Sequence, residues 1–105
     1  MYAVRNSFVT EVEIESGANL STAVNFTEWA GGQVSMPSGW TAASIGFKVA
    51  SAVDGTFAPL YDSDGNLVQV DSPAVDNVYA LPDAILGCRF IKLWSQSGAG
   101  VNVNQ

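Results

Sequence analysis

The chain contains no histidine. Imidazole is the usual proton shuttle near neutral pH, so its absence excludes Ser-His-Asp and Cys-His arrangements. Cys88 is the single cysteine. A neighbouring Arg89 can lower a thiol pKa, but within the apolar run Cys88 to Trp94 a small, buried or half-buried side chain is the expected role. Zinc needs several Cys or His ligands, and the sequence does not supply them. Calcium is the fairer prospect. Asp62-Ser63-Asp64-Gly65-Asn66 places oxygen-bearing side chains at close spacing. Its glycine comes too early for EF-hand order, and no Glu closes the loop. Asp62, Asp64 and Asn66 are also the residues a tight hairpin prefers. A turn is therefore expected there, and no metal or cofactor is assigned.

Carboxylates offer two further patterns. Glu11, Glu13 and Glu15 would share one face of a strand, where they repel one another, so that face is expected in solvent or against a basic partner. Glycosidase chemistry needs two acids at a fixed separation. Glu28, beside Trp29, is the one acid with an aromatic neighbour in a plausible loop, and no second acid can be placed opposite it. The chain is expected not to be an enzyme. The three tryptophans suggest contact rather than catalysis. Trp29 precedes Gly31-Gly32, Trp40 follows Pro37-Ser38-Gly39, and Trp94 ends a strand candidate. Exposed aromatics stack on sugars or anchor protein interfaces; otherwise they cap a core. Trp29, Met36, Trp40 and Trp94 are the interface candidates.

The elements that would carry these residues are strands. Residues 10–15 alternate polar and apolar with period two. In 44–49, Ile45, Phe47 and Val49 are expected to face the core, and Ser44, Gly46 and Lys48 to face out. Further candidates are 20–26, 57–61, 67–70, 78–81, 88–94 and 101–103. Asp54-Gly55 and Asp64-Gly65 fall between runs and suit hairpin turns. Residues 82–86 suit one helical turn, with Pro82 in a position that tolerates it. The expected fold is all-β: a single antiparallel β-sandwich, jelly-roll or Ig-like, with at most one short helical turn.

Composition bounds the class. With 105 residues the chain makes one domain, 1–105, able to bury a core without staples. An N-terminal arm at 1–7 and an extended C-terminal tail at 95–105 are anticipated. Charged residues are 13 %, against about a quarter in ordinary soluble domains, so the exterior is weakly charged. The net charge of −6 and four scattered cations argue against nucleic acid and anionic membranes. The start MYAVRNSFVT lacks the apolar core of a signal peptide, and no run approaches a membrane span. Synthesis in a cytoplasm is expected.

Most of the chain carries a further signal. Residues 14–21, 36–47 (Met-Pro-Ser-Gly-Trp-Thr-Ala-Ala-Ser-Ile-Gly-Phe), Asp54-Gly55, Leu60-Tyr61-Asp62, Tyr79-Ala80-Leu81, 87–92 (Gly-Cys-Arg-Phe-Ile-Lys) and Val103-Asn104-Gln105 together resemble small virion proteins of tailed bacteriophages. The resemblance implies a β-sandwich and no catalytic residues. It implies a capsid cement or head-decoration protein at the virion surface, a homo-oligomer such as a trimer, with the major capsid protein as partner. A carbohydrate-binding or host-attachment module of a head or tail fibre is the alternative. Trp29, Trp40 and the Asp62 loop would then line its binding edge.

Overall fold

A computed structural model describes residues 11–27 and 31–105. The anticipated arm at 1–7, Glu28 and Trp29 lie outside the described residues. Within them the chain is all-β and antiparallel, with one 3-10 turn. Its strands are β1 (Val24–Asn25), β2 (Gln33–Ser35), β3 (Ser44–Ala50), β4 (Ala58–Pro59), β5 (Gln69–Val70), β6 (Val78–Ala80) and β7 (Phe90–Gln96). A five-stranded sheet has the order β1-β7-β3-β4, with β5 also on β3, and a two-stranded sheet pairs β2 with β6.

The pair β3 and β7 organises the molecule. All seven residues of each strand pair, from Ser44 with Gln96 to Ala50 with Phe90. Both are rich in the β-branched and aromatic residues that fill a pleated surface. Period two then sorts their side chains: Ile45, Phe47 and Ile91 turn to the core and are all but fully buried. Val70, Val68, Phe26, Met36 and Ile85 complete that cluster, with Val34, Tyr79 and Leu81 of the small sheet packed over it. Ile85 comes from the 3-10 turn Asp83–Gly87, at the place where one helical turn was expected. Burying a side chain of this size contributes about 2 kcal/mol, which favours the turn that carries it.

The edges of the large sheet are irregular, and side chains complete them. On one side, Leu20 bridges Trp94 while Val24 pairs with Ile91, so four chain steps oppose three. The extra residue is a β-bulge. There the Leu93 N–H donates to the Ser21 hydroxyl at 2.9 Å, and the Ser21 N–H donates to the Leu93 carbonyl at 2.9 Å. On the other side, β4 and β5 lie end to end along β3. Between them the hairpin 61–67 is extruded: Leu60 N–H reaches Phe47 O, and Val68 N–H reaches Leu60 O.

Four expectations change. Residues 11–15 keep alternating exposure but join no ladder. The pattern reports which side chains meet the protein, and it does not specify a paired neighbour. Strand β2 has a single apolar residue, Val34, and escapes periodicity; Gly32 to Met36 is held instead by its partner at 77–81. Ser44 and Gly46 are buried rather than outward in solvent, because a second layer covers them. The tail is not extended over 95–105. Ser95 and Gln96 belong to β7, and the chain then folds back, with Val103 N–H on Ser95 O and Gln105 N–H on Ala18 O.

Candidate functional site

The outer face of the large sheet, opposite the core, gathers the least expected side chains. Down the β3–β7 ladder its pairs are Ser44–Gln96, Gly46–Trp94, Lys48–Lys92 and Ala50–Phe90.

The first two pairs are sealed by the chain itself. Gln96 is fully buried. Its Oε1 accepts the N–H groups of Gly98 (2.6 Å) and Gly100 (3.0 Å), and its Nε2 donates to Gln69 Oε1 at 2.6 Å. Gln69 Nε2 donates on to Gly98 O at 3.3 Å. A buried amide is tolerated only when its donors and acceptors are matched, and these bonds match them. Trp94 packs against Gly46: a β-carbon there would sit 2.8 Å from a ring carbon, so only glycine lets the indole settle. The Trp94 Nε1–H donates to Asn102 Oδ1 at 2.7 Å.

The next two pairs are only half-buried. Lys48 and Lys92 face each other directly across the ladder. Like charges so placed repel, and the two side chains diverge. Lys48 Nζ lies 4.6 Å from the centre of the Trp94 ring, reached past Gly46. Lys92 Nζ lies 4.5 Å from the centre of Phe57, reached past Ala50. Each cation rests on an aromatic face, worth about 0.5–1 kcal/mol at an exposed site. The result is a cationic strip, bordered by Phe57 and Phe90, on a protein of net charge −6. Its components were visible separately in the sequence, where the cations look scattered. Only the register of β3 against β7 places them side by side.

The interface candidates fare differently. Met36 and Trp94 are buried, at 6 % and 3 % exposure, and offer no contact surface: Met36 fills the core beneath β2, and Trp94 is covered as described. Trp40 is half-buried against the core and ties its Nε1–H to Ala43 O at 3.2 Å. The Asp62 loop is a turn closed on itself. Asp62 Oδ1 accepts the N–H groups of Asp64 and Asn66, both at 2.9 Å, and Gly65 takes φ 81°.

Burial raises the Cys88 thiol pKa, the opposite of an activated thiol. Ser44 donates to Asp71 at 3.2 Å and accepts the Ser72 N–H at 2.9 Å, both contacts organising the chain beside an open hollow of about 360 Å³. Among the described residues no cluster of His, Cys, Asp and Glu is arranged to hold a metal, and no helix is long and apolar enough to cross a membrane. No protein-family model, curated protein or solved structure matches the chain.

Proposed function

We propose that the chain is a non-enzymatic structural protein of a phage virion, a capsid cement or head-decoration protein that binds between capsid subunits. One observation carries the contact role: the half-buried Lys48–Lys92 strip, with Phe57 and Phe90 beside it, joins apolar area to charge as the polar rim of a protein contact does. The sequence resemblance supplies the virion setting. Exposed Val53, Val75, Val78 and Val101 add apolar area elsewhere on the surface for contact with a shell.

The mechanism is linkage. A protein that binds the assembled shell and not its dispersed subunits stabilises the shell by about 2.7 kcal/mol per site at a hundredfold excess over Kd. Sugar attachment lacks comparable support, since Trp94 is covered and Trp40 is half-buried and tied to its own loop. The test is to add purified chain to heads that lack it. Saturable binding and a higher disruption temperature are expected. Heads that neither take it up nor gain heat resistance would overturn the assignment.

A further inference from the structure

We propose that the neighbour of the Lys48–Lys92 strip is the acidic row Glu11, Glu13 and Glu15 of a second copy of this chain. The inference rests on the strip being a protein-contact face. It does not depend on the virion setting.

Charge complementarity is the first argument. The chain has ten acids against four cations, and two of those cations stand side by side on the outer face. Directly opposed residues of a ladder are about 5 Å apart at Cβ, so two lysines rise from one patch before their ammonium groups diverge onto separate rings. Carboxylates arriving from outside would give each ammonium an opposite charge.

Geometry is the second argument. Glu11, Glu13 and Glu15 are all exposed, while Val12 and Ile14 between them are half-buried. The segment therefore presents carboxylates on one side at every second residue, about 7 Å apart in extended chain. From Glu11 to Glu15 the row spans about 14 Å in extended chain, so separate carboxylates are available to the two divergent ammonium groups. The backbone of 11–15 belongs to no strand ladder, so this row is presented without being part of a sheet. Row and strip are different patches of one chain, so their contact is either reciprocal across a two-fold axis or head-to-tail in a ring or filament.

Salt gives a discriminating sign. Two copies of net charge −6 repel overall, and added salt screens that repulsion and would strengthen a contact built on apolar area alone. A contact built on the lysine strip and the glutamate row weakens with salt instead. Sedimentation of the purified chain at about 50 mM and about 500 mM salt is expected to show oligomers that dissociate as salt rises. Glu11→Lys/Glu13→Lys/Glu15→Lys is expected to weaken association at least about tenfold. Three reversals of two charges each carry the net charge from −6 to zero, which removes global repulsion, so a loss of association would run against the net-charge trend. The exposed positions make misfolding a minor concern, and near-ultraviolet circular dichroism checks it. Mixing this variant with Lys48→Glu/Lys92→Glu is expected to restore a mixed oligomer that neither forms alone. A monomer at low salt, association that strengthens with salt, or a triple variant that assembles like the parent would each overturn the proposal. A chain that binds heads but stays monomeric sinks this inference and leaves the cement role standing; oligomers that ignore heads do the reverse.

Discussion

The phenol of Tyr79 accepts the Ala74 N–H at 2.8 Å and the Asn77 side-chain amide at 3.3 Å, fastening the loop that precedes β6. Donors aimed at an oxygen favour its anion, so the Tyr79 pKa is lowered, by the Ala74 bond first and the Asn77 bond second. The folded phenol releases its proton before an unfolded one, near pH 10. Its contribution to stability is therefore present above the unfolded pKa and is lost as pH falls through the folded pKa. Solvent exposure keeps it small. The chain has three tyrosines. Following phenolate absorbance against pH, Tyr79→Phe should remove a component that titrates below the ordinary phenol value. If the component lost in the variant titrates at or above the ordinary value, the assigned hydrogen bonds are wrong. Residue identity alone does not reveal this, because the donors come from a loop whose path depends on Asp76 adopting φ 63°.

At the scale of elements, the hairpin 61–67 shows how a local motif shapes a sheet edge. Asp-Gly at 64–65 marks a turn in sequence, and a turn forms. What periodicity does not show is that the hairpin interrupts one line of chain along β3, so that β4 and β5 flank it. Asp62→Ala removes an acceptor used by two backbone N–H groups and should cost about 1 kcal/mol in urea unfolding. Asp64 takes part through its N–H, not its carboxylate, so Asp64→Asn should shift stability by less than about 0.5 kcal/mol. Equal losses from both changes, appearing only with calcium present, would mean that the loop holds a cation instead. The bulge at Ser21 follows the same logic on the opposite edge: a hydroxyl stands where a ladder carbonyl is missing.

At the scale of the whole molecule, closure depends on a residue far from the core in sequence. The Gln105 side chain accepts the Thr41 N–H at 2.8 Å and donates to Thr41 O at 3.1 Å and to Ser95 Oγ at 2.9 Å. Its own N–H donates to Ala18 O at 2.8 Å. Four bonds thus join three separated segments beside the end of β7. Gln105→Ala forfeits the side-chain three and should lower stability by about 1–2 kcal/mol, read as an earlier urea midpoint at unchanged slope. An unchanged midpoint would show that the clasp is superficial. Nearby, Gln96 Oε1 holds the 97–100 turn against the sheet and covers the Ser44–Gln96 end of its outer face, while the Lys48–Lys92 pair is half-buried.

Fold class was legible along the chain because two-residue alternation in 44–49 and the apolar run 88–94, with Asp-Gly breaks, are local properties of the sequence. So was the absence of imidazole chemistry, which composition alone decides. The core positions Ile45 and Phe47 follow from the same alternation, and Val49 packs half-buried against them, since adjacent strand side chains must point to opposite faces. The second, outer layer was not legible. Whether Gly46 meets water or an indole depends on which residue stands across from it, and cross-strand register is a relation between segments dozens of residues apart. For that reason Trp94 and Met36 looked available in sequence and are buried in the fold. For the same reason two ordinary lysines became one patch: pairing energy, summed over the β3–β7 ladder, selected the register that brought them together.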